Sequence, residues 1–127
     1  AVRPSHLCEG PSTIAFGRAS LRKIWEVPGA RPSAIVCGND HLAIGALLEA
    51  QALGIAVPRQ LSITGFDDIA LAREIAPALT TMWVDTEAIG RAAAQSLLDR
   101  LDGCPPGPGV EIAAELRIRG SAGRFHR

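Results

Sequence analysis

The sequence predicts an α/β fold in which a mostly parallel sheet is covered by helices. Short apolar runs rich in β-branched residues alternate along the chain with longer segments of helical periodicity. The order is helix, strand, helix, strand, short helix, strand, helix and strand, which is typical of parallel sheets with helical crossovers. A hydrophobic content of 47% in 127 residues, with 20% charged residues, indicates one globular domain.

The first half of the chain predicts two helices that flank a buried strand. Residues 14–27 carry apolar side chains at helical spacing and are followed by a Pro-Gly pair, which ends the helix. Residues 34–38 form an apolar run that is too short for a helix, so we predict a strand there. The next helix covers residues 41–53, with Asn39 or Asp40 as its cap and a glycine at its end.

The helix over residues 41–53 is too apolar to be covered on one side only. Most of its residues are Ala, Leu or Ile, which is more than a single stripe. Packing on the sheet hides one side. The other side needs a second helix layer or another subunit.

The second half continues the alternation and adds a break. After the proline- and glycine-rich residues 104–109, too little chain follows for another domain, so the last strand should return to the sheet. The predicted elements are a strand over 61–66, a short helix over 69–75, a strand over 80–84, a helix from a cap at Asp85 or Thr86 to Leu101, and a strand over 110–118.

Charge and cysteine content exclude several classes of function. Thirteen basic residues balance thirteen acidic ones, so this chain has no positive field for binding DNA or an anionic membrane by itself. The cysteines Cys8, Cys37 and Cys104 are odd in number and far apart, which favours neither a disulfide framework nor a zinc site. We expect Cys37 to be a buried thiol, no cofactor, and a reducing, cytoplasmic location without membrane segments. The start at Ala1 suggests a fragment.

Two polar clusters follow neighbouring predicted strands. Asn39 and Asp40 come after the first strand, and Asp67 and Asp68 after the second. Ligands of open parallel sheets bind outside the carboxyl ends of the strands. A carboxylate and an amide at one cleft can bind vicinal hydroxyls, as a sugar or nucleoside site requires. Asn39, Asp40 and Asp68 could equally serve only as helix caps.

Five stretches, in order, resemble motifs of the lactose-repressor and purine-repressor (LacI-type) family of transcription regulators. They cover about residues 9–121 in register, and the ordered set is more specific than any one piece. The stretches are residues 31–47 ("PTAIFCGNDxMALGAL" in the family), 53–58 with 61–69 ("LGLxVPxDVSVVGFDDI"), 77–81 ("PPLTT"), 89–93 ("MGRRAA") and 115–121 ("ELVVRGS").

The resemblance implies a type I periplasmic-binding-protein-like fold, three-layered α/β/α and truncated. Residues 1–127 would be a single partial effector-binding domain, with the C-terminal lobe and a crossover helix over 86–102. The family reads DNA through a separate N-terminal head, which this chain lacks, and senses a small molecule, often a sugar. The chain would therefore be an effector-sensing and dimerisation region without enzymatic activity.

The resemblance assigns effector contacts to Asn39 and Asp67, and makes Asp40 and Asp68 caps or loop organisers. Two departures affect the rim of the pocket. Val84 stands where the family often has a glutamine, and Pro11 and Ser12 lie where many relatives have an aspartate and a stacking aromatic. The sequence therefore does not identify the effector.

The resemblance also implies a homodimer. The family dimerises through the helix after "ND" and the segment after "GFDD". The residues that we assign to this interface are Leu42, Ile44, Leu48, Ile69 and Ile75. The helix over 86–102 packs on the first lobe in the family, so we expect another copy to bury its apolar stripe, through a domain swap or a simple dimer.

Two other classes of function compete with this interpretation. The chain could be a fragment of a periplasmic sugar-binding protein, although free cysteines disfavour export. Alternatively, Asp67 and Asp68 could form a magnesium site for phosphoryl transfer, but such sites need a nearby lysine and Lys23 is alone on an early helix.

Overall fold

A computed structural model describes residues 4–29 and 31–124 of the chain. Four helices and four strands follow a single 3-10 turn at Pro4–His6. Their bounds are α1 Ile14–Glu26, β1 Ala34–Val36, α2 Asp40–Ala52, β2 Ser62–Phe66, α3 Leu71–Glu74, β3 Thr80–Val84, α4 Thr86–Leu101 and β4 Ala114–Arg117.

The strands form one sheet in the order β1-β2-β3-β4. The first two pairings are parallel, with Ile35 beside Ile63 and Thr64 beside Thr80. β4 returns antiparallel to β3, with Leu116 beside Met82. The predicted α/β class with a mostly parallel sheet, and the return of the last strand, are confirmed.

The predicted elements are confirmed, and several of them are shorter than predicted. β1 ends at Val36 rather than at Gly38, and α3 covers Leu71–Glu74 rather than residues 69–75. Before α3, the Ile69 amide donates to the Asp40 carboxylate at 2.9 Å. β4 begins at Ala114 rather than at Val110, since only residues from Ala114 onward pair with β3.

Helix α2 is covered on two sides within its own chain. It packs on β2, and α1 crosses it at two glycines. A methyl group on Gly17 would overlap the Leu42 carbonyl, and one on Gly45 would overlap the Ile14 carbonyl. The second helix layer that the apolar composition of α2 requires is therefore α1.

The core lies between α1, α2, α3 and one face of the sheet. Its fully buried members include Leu21, Ile44, Leu47, Ile63 and Leu79. At the edge of the α1–α2 contact, Arg18 and Arg22 form ion pairs with the buried Glu49 carboxylate. Burial opposes ionisation of Glu49, but the two arginines outweigh it and lower the pKa of this carboxyl.

The opposite face of the sheet carries exposed apolar side chains. Val36 is 85% exposed, Phe66 40% and Leu116 57%. Connections that cross the sheet in one direction with one hand place their helices on the same face. α2 and α3 are such crossovers and α1 packs on α2, so these helices do not contribute the third layer of the predicted α/β/α arrangement.

The residues after β4 fasten the chain to the amino-terminal ends of β2 and β3. The buried Ser121 hydroxyl donates to the Ile63 carbonyl at 2.6 Å and accepts from the Thr80 amide at 2.8 Å.

α4, in contrast, has no buried residue, and the described residues 104–113 that follow it have no regular structure. None of the described helices is both long and apolar enough to cross a bilayer.

Candidate functional site

The predicted site residues lie at one edge of the sheet. β1, β2 and β3 are parallel, so the residues that follow them share the carboxyl edge. The start of α1 lies at this edge as well, because Phe16 in its first turns and Gly38 directly after β1 line the same cavity. Ser12, just before α1, is therefore at the same edge as the start of α2.

Asn39 caps α2. Its backbone is extended and its side-chain oxygen accepts from the Leu42 amide at 3.0 Å. This capping bond satisfies one of the free amides at the helix start. The amide nitrogen of Asn39 has no hydrogen bond within the described residues, so its donor hydrogens remain available to a ligand.

Asp40 organises the site from inside and does not cap the helix. Its carboxylate is fully buried and accepts from the Ile69 amide at 2.9 Å and from the Thr81 hydroxyl at 2.6 Å. Gly65 is required beside it, because a methyl group there would overlap the carboxylate. Asp40 thus connects the first turn of α2 to β3 and to the loop after β2.

Asp68 is held by two arginines. Its side chain is 2% exposed and accepts from Arg119 at 2.6 Å and from Arg73 at 3.2 Å. Its φ of 52° is in the left-handed region, which aspartate tolerates better than most residues. Asp68 is therefore a loop organiser, as the resemblance implies.

Asp67 is the carboxylate that faces outward. It is exposed, has a φ of 110°, and makes no side-chain hydrogen bond within the described residues. Partial burial raises its pKa above the usual range, and the neighbouring Asp40 carboxylate raises it further. His41 opposes this rise, which places it near Asp67.

His41 is a candidate site residue that the sequence alone does not single out, because no metal ligand or carboxylate stands at a suitable spacing from it. Its position in the first turn of α2, one residue after Asp40, is the signal that could have indicated a role at this edge.

The rim residues are at the same edge but differ in exposure. Ser12 is exposed and directly precedes the Thr13 cap of α1. Val84 is half-buried at the end of β3, before Asp85, which caps α4 through the Ala88 amide at 2.8 Å.

A cavity of about 100 Å³ adjoins this edge, since Gly38 and Leu42, on either side of Asn39, are among its lining residues. Phe16, Ser20, Ile35 and Cys37 are among its lining residues, whereas Asn39 and Asp67 are not. Cys37 is half-buried there, and burial, with a contribution from Asp40, raises the pKa of its thiol to about 12. The cavity offers a ligand the side chains of His6 and Ser20 but neither Asn39 nor Asp67, so the polar edge remains the candidate site.

The residues assigned to a subunit interface have unequal exposure. Leu48 is 41% exposed, and Leu42, Ile69 and Ile75 are half-buried. Ile44 is 1% exposed and packs in the core of its own chain, so it offers a partner subunit almost no surface.

Comparison with known proteins identifies the family. The periplasmic binding protein-like domain matches residues 4–122. The chain is 38% identical over 121 residues to the HTH-type transcriptional repressor CytR of Escherichia coli, and 37% identical over 100 residues to the HTH-type transcriptional repressor PurR of Yersinia pestis. These alignments cover 94% and 79% of this chain, but 35% and 29% of the relatives.

Solved structures agree with the sequence relatives. The Escherichia coli transcriptional repressor ascG superposes with a TM-score of 0.79 at 34% identity, over 95% of this chain and 44% of that one. A LacI-family sugar-binding transcriptional regulator from Escherichia coli gives a TM-score of 0.82, also at 34% identity, over 95% and 43%. The chain thus belongs to the periplasmic binding protein-like domain family and corresponds to part of the effector-binding domain of LacI-type transcriptional regulators.

Proposed function

We propose that this chain senses a small hydroxylated effector, a sugar or a nucleoside, through Asn39 and Asp67. The observation that carries the proposal is the contrast within the aspartate pair. Asp68 is neutralised by two arginines, while Asp67 keeps an exposed carboxylate with a raised pKa in a strained backbone conformation. Such strain is typical of ligand-binding positions.

The polar groups at this edge suit vicinal hydroxyls. Asp67 accepts, the Asn39 amide nitrogen donates, and the His41 imidazole can do either. One LacI-family regulator of similar fold, from Lactobacillus casei, has bound glucose. We extend that chemistry to this chain as a class of ligand, with Ser12 and Val84 at the rim.

The same residues support a binding role over phosphoryl transfer. A magnesium site needs carboxylates that are free to coordinate the ion. Asp68 is already engaged by Arg73 and Arg119, which leaves Asp67 without its partner. We therefore propose a binding module that lacks enzymatic activity, acts in the cytoplasm and affects DNA only through a separate head.

We also propose that the chain forms a homodimer. α4 carries a stripe of exposed apolar residues, of which Ile89 is 44%, Leu97 61% and Leu101 74% exposed. Such a stripe is unfavourable in water. A second copy can cover it, either by direct packing or by a domain swap.

Effector binding can be tested by titrating the ¹⁵N-labelled chain with glucose, ribose, adenosine and cytidine. We expect one class to shift the backbone amides of residues 38–41 and 67–69. The Asp67→Ala variant should lose these shifts, whereas Asp102→Ala, at an exposed aspartate after α4, should keep them. Equal shifts in the wild type and in Asp67→Ala would contradict the proposal.

A further inference from the structure

Arg119 links the end of the chain to the aspartate pair. Its side chain is 17% exposed, and its guanidinium donates to Asp68 at 2.6 Å and to the Leu79 carbonyl at 2.8 Å. Its backbone is fixed as well, because the Arg119 amide donates to the Thr80 hydroxyl at 2.9 Å, and that hydroxyl donates to the Arg119 carbonyl at 3.1 Å. Arg119 is thus held at both its backbone and its side chain.

The conformation of the aspartate pair requires such support. Asp67 and Asp68 both have positive φ, at 110° and 52°. Non-glycine residues in sparsely populated regions cost free energy and persist only when their surroundings hold them. The contacts that hold this pair include the Asp67 amide bond to the Met82 carbonyl, at 2.9 Å, and the ion pairs of Asp68. The Ile69 amide bond to the Asp40 carboxylate holds the residue that follows them.

We propose that Arg119 is a positioning residue of the effector site. Its ion pair with Asp68 holds the aspartate pair in its left-handed conformation and keeps the Asp67 carboxylate beside the first turn of α2. Arg73 is the weaker support, since its side chain is 61% exposed and its contact is longer. The effector-related part of this inference rests on the proposed function, and the positioning part does not.

The test measures the pKa of the Asp67 carboxyl by NMR in Arg119→Met. The substitution has two effects on the pKa of Asp67, and they have opposite signs. Loss of the positive charge alone raises the pKa of Asp67. Release of the loop lowers it, because the carboxylate gains water and moves away from Asp40. We expect the pKa to fall, and only movement of the loop explains a fall.

Two further variants keep the test decisive. Arg117→Met, on the exposed face of β4, removes a nearby arginine that does not contact Asp68, and should leave the pKa of Asp67 unchanged or slightly raised. Arg119→Lys preserves the charge but cannot reproduce the planar guanidinium that bonds both Asp68 and the Leu79 carbonyl. It should therefore also lower the pKa of Asp67. It replaces Arg119→Met in the test if that variant does not fold. An unchanged or raised pKa in a folded Arg119 variant overturns the inference.

A ligand titration separates this inference from the proposed function. With an effector that binds the wild type, we expect Arg119→Lys to weaken binding by about tenfold, because the carboxylate is misplaced. If no sugar or nucleoside binds the wild type but the pKa of Asp67 falls in the Arg119 variants, the positioning role is supported and the effector proposal fails. If the wild type binds and Arg119→Lys changes neither affinity nor pKa, the positioning role fails alone.

Discussion

Asp67 and Asp68 are chemically identical neighbours with opposite environments. Asp68 faces two arginines and is buried among them. Partial burial and, to a lesser extent, the Asp40 carboxylate raise the pKa of Asp67, and His41 opposes that rise. One aspartate therefore contributes to the stability of the loop, while the other costs free energy when it is ionised.

We expect Asp67→Asn to raise the free energy of unfolding at pH 7. The raised pKa means that the folded state binds the Asp67 proton more tightly than the unfolded state, so the ionised form is destabilising. As the pH falls through this pKa the wild type becomes protonated, and the difference between the proteins should narrow. Urea denaturation measures the free energies of unfolding of the wild type and the variant at pH 7 and at pH 3, with Asp102→Asn as the control. A less stable variant at pH 7 would contradict the expectation.

We expect the Cys37 thiol to react slowly with iodoacetamide. Because its pKa is about 12, almost no thiolate is present at pH 8. The exposed Cys104 should be alkylated faster by about two orders of magnitude, as measured by mass spectrometry of peptides after short exposures. In urea the two rates should converge. Equal rates in the native protein would show that Cys37 is not protected.

At the scale of the elements, the α1–α2 crossing positions the site. Gly17 and Gly45 allow the two backbones to touch, and this contact holds both helix starts at the carboxyl edge of the sheet. Glu49, with Arg18 and Arg22, fixes the crossing further along. The placement of Ser12 and Asn39 at one edge follows from this contact.

We expect Gly45→Ala to lower the free energy of unfolding by roughly 2–3 kcal/mol, because the added methyl group meets backbone that cannot move without separating the helices. Gly90→Ala is the matched control. Nothing lies within 4 Å of a methyl group on Gly90 in the exposed α4, so alanine should raise stability by up to about 1 kcal/mol. Denaturant unfolding measures the free energy of unfolding of both variants. Equal changes in the two variants would contradict the close crossing of α1 and α2.

The elements could be predicted from sequence because their signals are local. The caps at Asn39 and Asp85 and the strand over residues 80–84 depend on near neighbours in the chain. The contacts that shape the site are not local. Arg119 meets Asp68 across 51 positions, and α1 covers α2 through two glycines that resemble any other small residue in the sequence. Such pairings leave no periodic pattern to detect.

At the scale of the molecule, two apolar surfaces are exposed among residues 4–29 and 31–124. One is the open sheet face with Val36 and Leu116, and the other is the α4 stripe with Leu97 and Leu101. The apolar excess of α2 is explained within the chain by α1, so it no longer argues for a subunit contact. This leaves α4 as the better candidate for self-association.

We expect light scattering to detect self-association that the double variant Leu97→Lys with Leu101→Lys abolishes. Placing two ammonium groups in an apolar contact desolvates them at a large cost. Leu48→Lys changes an exposed leucine of α2 in the same way and should leave the mass unchanged. A drop in mass with Leu48→Lys alone would move the interface to α2, and a wild-type monomer at high concentration would remove the dimer proposal.

Val84 and Ala114 pair in the antiparallel part of the sheet, so residues 85–113, which include α4, begin and end at neighbouring positions. Geometrically, β3 and β4 are the two arms of a hairpin with a helix inserted at its tip. A two-residue Asn-Gly turn could join those arms directly. Because no α4 residue is buried in this domain, the shortened protein should fold with nearly unchanged stability. Evolution could therefore vary the inserted helix with little effect on the sheet beneath it.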